Sequence, residues 1–135
     1  MTTLAALEKG HEFPPASFDL SEEWVDAYVA AVEDEAIGAL DSGFVPPMAV
    51  AALAIRALLE QASLPPGTLH VGQELAFTAP VCRGETLTVA ARIASRGKRA
   101  GWALIAVELR VAGDDGTVMT GRVTLSFPAA EGTAV

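Results

Sequence analysis

Few side chains in this sequence are of the types that carry out acid–base or nucleophilic chemistry. The two histidines are His11 and His70, and the single cysteine is Cys82. A cysteine acts as a nucleophile when a neighbouring base or positive charge favours its thiolate, and the sequence pattern places no histidine to activate Cys82. We therefore expect Cys82 to be a partly buried strand residue. For His70 two interpretations stay open: it faces a ligand tunnel, or it bonds a backbone carbonyl at a strand end.

Positive charges are also scarce, and three of them lie close together. Arg96, Lys98 and Arg99 fall in the segment Arg96-Gly97-Lys98-Arg99, which we predict to be a hairpin turn. Three cations on one turn could hold anionic phosphate groups by electrostatic attraction. The alternative is a solvated hairpin tip with no ligand.

Acidic residues are concentrated at the start of the chain. The formal net charge is −8, and residues 1–43 contain ten acids and one base, Lys9. This distribution disfavours nucleic acid as a partner, because the neutralisation of phosphates requires a basic face. A solvated acidic surface is the simpler interpretation.

The segment that should position any site is a long apolar helix over Gly43–Gln61. Its apolar residues recur at helical spacing, and the sole charge between positions 44 and 59 is Arg56. Pro46 and Pro47 suit a first turn, where backbone N–H groups would be unpaired anyway. The helical stripe consists of Val50, Leu53, Ala54, Ala57 and Leu58. A helix that is apolar almost all round is predicted to be surrounded by protein.

Helical and strand patterns divide the rest of the chain. Ser21 is a candidate N-cap for an amphipathic helix over Glu22–Val32. After the stop signal Leu64-Pro65-Pro66-Gly67 the apolar period changes to two, which predicts strands, and Gly113-Asp114-Asp115-Gly116 predicts a hairpin. The predicted strands are about Leu69–Thr78, Glu85–Ser95, Trp102–Ala112 and Thr117–Phe127.

These elements predict one α+β domain over residues 1–135, with residues 1–9 and 128–135 flexible. A buried helix followed by long antiparallel strands is the hotdog fold, a curved sheet wrapped around a central helix. A single hotdog leaves sheet edges exposed, and dimerisation that continues the sheet would cover one of them.

Composition and hydropathy indicate a cytoplasmic globular protein. No apolar run approaches the roughly 20 residues that span a bilayer, and the N-terminus shows no signal-peptide pattern. One cysteine excludes an internal disulfide and is typical of a reducing compartment.

Three short segments resemble a known family. They are Leu69–Leu75 (LHVGQEL), Ala79–Val81 (APV) and Arg83–Leu87 (RGETL). Together they are similar to the pattern "LHG-x-QEFE…RPV…GDTL" in the N-terminal, FAS1-type halves of MaoC-like dehydratases, relatives of the (R)-specific enoyl-CoA hydratases. The likeness extends over most of residues 10–127. It implies a hotdog fold and acyl-CoA thioester substrates, with no cofactor or metal.

The resemblance also implies where chemistry would occur and shows that this sequence departs from it. In the family, an Asp and a His in a D-x-N-P-x-H motif before the central helix handle the water and the proton. Here Asp34 could stand at the Asp position, or it is one of three acids on a solvated loop. The Asn-Pro is absent, Ala39 falls at the His position, and His70 belongs to the strand motif instead.

The second departure concerns the N-terminus of the central helix. In the family a backbone N–H there, aided by the helix dipole, stabilises the enolate of the thioester. Pro46-Pro47-Met48 aligns with the His-Gly-Met of active hydratases, so the aligned donor is a proline without an N–H. The substrate would still lie against Val45, Met48 and Ala49, with Arg96, Lys98 and Arg99 near the phosphates of CoA.

We therefore expect a non-catalytic accessory subunit of an acyl-CoA hydratase or dehydratase, paired with a catalytic hotdog subunit. One alternative is a hotdog acyl-CoA thioesterase, in which Glu35 or Asp41 would activate water. Another is a non-enzymatic acyl-binding homodimer, or a homodimer whose tunnel is filled by its own side chains. Neither nucleic acid nor a membrane is an expected partner.

Overall fold

The fold consists of one long helix on one face of a five-stranded antiparallel sheet. The structure is a computed structural model that describes residues 2–32 and 43–129. Its helices are a 3₁₀ turn (Leu4–Ala6), α1 (Glu22–Val32) and α2 (Pro47–Gln61). Its strands are β1 (Thr2–Thr3), β2 (Ala16–Asp19), β3 (Ala62–Ser63), β4 (Leu69–Phe77), β5 (Thr86–Arg99), β6 (Trp102–Gly113) and β7 (Gly116–Pro128). The strand order in the sheet is β2–β5–β6–β7–β4.

The predicted central helix is confirmed as α2, with its start at Pro47. All five residues of the predicted stripe are buried. The helix ends at Gln61, because Ala62 takes an extended conformation while its N–H still donates to the carbonyl of Leu58. The opposite side of α2 is open, with Met48 51% and Leu59 44% exposed. Burial on every side, which the composition predicted, is therefore wrong for this single chain.

The sheet covers α2 with alternating apolar residues from its three longest strands. Opposed pairs such as Val107 and Val123 stand directly across neighbouring strands on this inner face, and both are almost fully buried. Buried residues of both helices and of the sheet form one continuous cluster. The period of two in the sequence therefore marks the core face correctly.

One of the two predicted hairpin turns is wrong. The turn at Asp114-Asp115 is confirmed. Residues Arg96–Arg99, however, belong to β5, whose last residue, Arg99, pairs with Trp102. The chain instead reverses at Ala100 and Gly101, which have φ of 53° and 83°. Two successive positive φ values fit the twist of a tight hairpin, and Gly101 supplies one of them without strain.

The sequence did not indicate three short strands, which are β1 and β2 in the N-terminal segment and β3 directly after α2. β1 pairs in parallel with β3, and β2 pairs with the start of β5. Leu4 and Leu7, in the segment expected to be flexible, are buried in the core. The strands β1, β2 and β3 have two to four residues, too few to show a period, and their partners are distant in sequence.

A local prediction is confirmed at the start of α1. The Ser21 hydroxyl accepts the backbone N–H of Trp24 at 3.1 Å, as an N-cap should. Arg56 donates to Glu60 one turn later at 2.8 Å, on the solvent side of α2. Within the described ranges, no helix combines the length and apolar character needed to cross a bilayer.

Replacing Ala100 with glycine should stabilise the fold. Ala100 holds a left-handed φ of 53°, which costs an L-residue roughly 1 kcal/mol. We expect Ala100→Gly to raise the free energy of unfolding by about 0.5–1 kcal/mol in urea titrations. The control is Ala90→Gly, on an exposed strand position without a positive φ, which should lower it. Equal effects of the two substitutions would contradict this account.

Candidate functional site

The N-terminus of α2 is built from a buried valine, two prolines and an exposed methionine. Val45 donates its N–H to the carbonyl of Val81 at 2.7 Å, and Ala49 donates to Pro46 at 2.9 Å. Pro46 is the N-cap and Pro47 is the first helical residue, so neither has an N–H to offer. Among residues 45–49, only Met48 has an N–H without a hydrogen bond to the described part of the chain.

This helix terminus is held by the turn at residues 81–85. Phe44 forms an isolated antiparallel bridge with Cys82, next to the bond between Val45 and Val81. The turn needs a left-handed residue, and Gly84 supplies it with φ of 86°. Cys82 is exposed, so its expected partial burial is wrong.

Glu85 fastens this turn to the β6–β7 hairpin. One of its carboxylate oxygens accepts the N–H of Cys82 at 3.0 Å, and the other accepts the N–H of Asp114 at 3.2 Å. Gly113 leaves room for this carboxylate, since a Cβ there would overlap it. Arg83 of the same turn pairs with Asp26 of α1 at 2.7 Å. The Arg-Gly-Glu segment is therefore explained by its structural contacts.

His70 lies far along the sheet from this helix terminus. It is exposed at the beginning of β4, opposite Leu125 on the inner face. Phe77 at the other end of β4 is seven residues away, about 23 Å along an extended strand, and the 81–85 turn follows that end. The structure therefore does not bring His70 together with Val45, Met48 and Ala49.

The three cations of the predicted turn do not converge. Opposed residues in a sheet share a face, so Arg96 and Lys98, opposite Ile105 and Ala103, lie on one face, and Arg99, opposite Trp102, lies on the other. Arg96 is half-buried and donates to the carbonyl of Ala5 at 3.1 Å. The placement of these three cations on one turn is therefore wrong, and Arg96 holds the N-terminal segment. Their binding to the phosphates of CoA stays a prediction.

The outer face of the sheet carries a row of charges that the sequence analysis did not find. The row begins at Glu12, which forms an isolated bridge with Arg92 of β5, and continues through Glu108 of β6, Arg122 of β7 and Glu74 of β4. We call this row the charge ladder. It crosses an open trough of about 840 Å³ that all five residues line. The charges alternate in sign along it, but only the register of the strands reveals this order.

Other candidates add no site within the described residues. Asp34, Glu35, Ala39 and Asp41 lie outside the described ranges. In residues 2–32 and 43–129, no three His, Cys, Asp or Glu side chains are grouped so that they could hold a metal ion.

One known family model matches most of the chain. The family model described as "FAS1-like, dehydratase domain region" matches residues 8–120. The chain belongs to this FAS1-like dehydratase family. A search of curated proteins gave no significant match.

Solved structures show the same fold. The (R)-hydratase PhaJ1 from Pseudomonas aeruginosa is 25% identical, with a TM-score of 0.73 over 93% of this chain and 85% of that one. A chain of the HadBC (3R-hydroxyacyl-ACP dehydratase) complex from Mycobacterium tuberculosis is 24% identical, with a TM-score of 0.71 over 92% and 100%. A chain of the ChsH1–ChsH2 complex from the same organism is 20% identical, with a TM-score of 0.70 over 89% and 98%. The hotdog fold and the MaoC-like resemblance are confirmed.

Substitution of Glu85 should loosen the helix terminus of this FAS1-like dehydratase domain. Glu85→Gln leaves one of the two backbone donors without its carboxylate oxygen, which we expect to cost about 1–2 kcal/mol of unfolding free energy. Hydrogen exchange at the Cys82 and Asp114 amides should accelerate. The matched control, Glu60→Gln, breaks only an exposed helical ion pair and should cost less than about 0.5 kcal/mol. Unchanged exchange at both amides would refute the role of Glu85.

Proposed function

We propose that this chain is a non-catalytic accessory subunit of a MaoC-like hydratase or dehydratase that acts on acyl-CoA thioesters in the cytoplasm. The observation that carries the proposal is the proline pair at the start of α2. Membership of the dehydratase family is the argument for the reaction class. The altered helix terminus is the argument for a non-catalytic role.

The prolines change what the helix terminus can offer to a thioester. Stabilisation of an enolate requires an N–H aimed at the position where the charge develops. Pro47 occupies the position that aligns with the donor glycine, and its nitrogen has no hydrogen. The next N–H, on Met48, is displaced by about 1.5 Å and rotated by about 100° around the helix axis. The dipole of α2 remains. The N–H of Met48, however, points in a different direction from the glycine N–H that serves as donor in the active hydratases.

The acid–base pair is altered independently of the oxyanion donor. Of the two family residues, only Asp34 has a counterpart in the sequence, and Ala39 stands at the position of the histidine. His70 does not substitute for it, because β4 holds His70 at the end remote from the 81–85 turn. Two separate losses favour a supporting role over a modified active site.

The sheet supports a partner through a clear difference between its two edges. β2 is an edge of four residues preceded by Pro14 and Pro15, which limit further strand pairing. β4, the other edge, has nine residues, no proline and no lysine. Three of its side chains, Leu69, Val71 and Phe77, are 42–53% exposed. An edge of this kind is an open site for a strand of another subunit.

The open side of α2 adds to the same case. Met48 and Leu59 are large, apolar and about half exposed, and Ala52 is exposed between them. These residues are spaced four and seven positions apart, so they share one helix face. The matched HadBC and ChsH1–ChsH2 structures are both complexes, which supports a second hotdog subunit as the partner. In such a complex this chain would complete the sheet and contribute Val45, Met48 and Ala49 to the acyl site.

The purified chain should not hydrate enoyl-CoA thioesters by itself. We expect background rates for short and long enoyl-CoA substrates, followed by loss of the conjugated thioester absorbance, and no change on Asp34→Asn. Activity should arise in the complex that co-purifies from the native source. Robust activity of the chain alone that is abolished by Asp34→Asn would overturn the proposal. Release of free thiol from saturated acyl-CoA would point to a thioesterase instead.

A further inference from the structure

The charge ladder stops at the edge of the sheet that we assign to the partner. Its five residues alternate as acid, base, acid, base, acid from Glu12 to Glu74. Glu74 lies on β4, and no described residue stands beyond it in the row. The charge ladder therefore ends at Glu74, an acidic residue on the edge strand.

The interior of the ladder is already paired. Glu108 accepts Arg92 at 2.8 Å from Nη2 and 2.9 Å from Nε, and its other oxygen lies 3.8 Å from Arg122. Glu74 is exposed and stands opposite Arg122, yet it has no ion pair within 4.0 Å among the described residues. Arg122 comes within 4.0 Å of Glu108 and not of Glu74, so Glu74, like Glu12 at the other end, has no ion pair within that distance among the described residues.

We propose that the partner subunit docks an antiparallel strand on β4 and places a lysine or arginine opposite Glu74. Directly opposed side chains of opposite charge stabilise strand pairing, and like charges in that position destabilise it. A base there continues the alternation of the ladder into the partner's sheet. The charge assigned to the partner rests on the proposed function, in which β4 is the edge that the partner covers.

A second copy of this chain cannot supply that base. An antiparallel strand in a continuous sheet presents to Glu74 only residues of the same outer face, which on β4 are Leu69, Gly72, Glu74 and Ala76. None of them is basic, and the sequence from Ala57 to Cys82 contains no lysine or arginine. Self-pairing therefore leaves Glu74 against a neutral residue or against its own copy. The edge favours a different hotdog subunit over a homodimer.

The recognition can be tested with lysine probes built on this chain. Leu69→Lys, Gly72→Lys, Glu74→Lys and Ala76→Lys each place a base at one outer-face position of β4. Gly72 tolerates the change, because a Cβ there meets Thr124 at ordinary contact distance. Each probe is mixed with the wild-type chain, and hetero-association is measured by sedimentation equilibrium. Thermal unfolding confirms that each probe is folded.

One probe should bind the wild-type chain about 2- to 5-fold more tightly than the wild type binds itself. The gain should disappear when the receiving chain carries Glu74→Gln, and at about 1 M salt, where the Debye length is near 3 Å. Glu23→Lys, the same charge change on α1, is the matched control and should give no gain.

Three results would overturn the proposal: no probe gains affinity, the gain survives Glu74→Gln, or the wild type self-associates as tightly as the best mixed pair. These measurements use no thioester. Failure of the accessory role in the activity assay therefore leaves them interpretable, and their failure leaves the activity result standing.

Discussion

The packing of α2 against the inner face of the sheet is the interaction on which the rest of the structure depends. Large side chains such as Leu53, Leu58 and Ile105 are almost completely buried there, and each contributes about 1.5–3 kcal/mol of hydrophobic stabilisation. The alanines of the helix let the sheet approach closely. Because this contact fixes the axis of α2, it also fixes where the helix terminus and its dipole point.

The same packing leaves one face of α2 and the edge of the sheet at β4 uncovered by the described residues. Within residues 2–32 and 43–129, no strand pairs with the free edge of β4. The described residues therefore leave both the open side of α2 and the free edge at β4 uncovered. In the proposed complex, a second hotdog subunit would extend the sheet from β4 and cover that edge.

The helix terminus shows how a catalytic scaffold can be kept while its chemistry is changed. Glu85, Gly84 and the bond between Val45 and Val81 still build a firm turn around the first residues of α2. Pro46 and Pro47 fit this turn well, because the backbone N–H groups that they lack have no helical partner at that place. A substitution that is nearly neutral for folding can thus remove a donor from a thioester site.

The sequence alone determined the elements whose patterns are local. Four features follow from spacing within one segment: the stripe of α2, the cap at Ser21, the alternating face of the long strands and the Gly113–Gly116 hairpin. The segment Leu69–Leu87 was enough to indicate the family. Such features depend on neighbours a few residues away, which the sequence displays directly.

Only the tertiary structure decided the features that join distant segments. Four such features depend on strand register. They are the pairing of β1 with β3, the extension of β5 through Arg99, the hydrogen bond from Asp114 to Glu85 and the order of the charge ladder. Register is set by which apolar faces meet in the core, and one residue of slip moves every side chain to the other face. For that reason the sequence supplied Arg92, Glu108, Arg122 and Glu74 as scattered polar residues, and the sheet arranged them into a row that ends at an open edge.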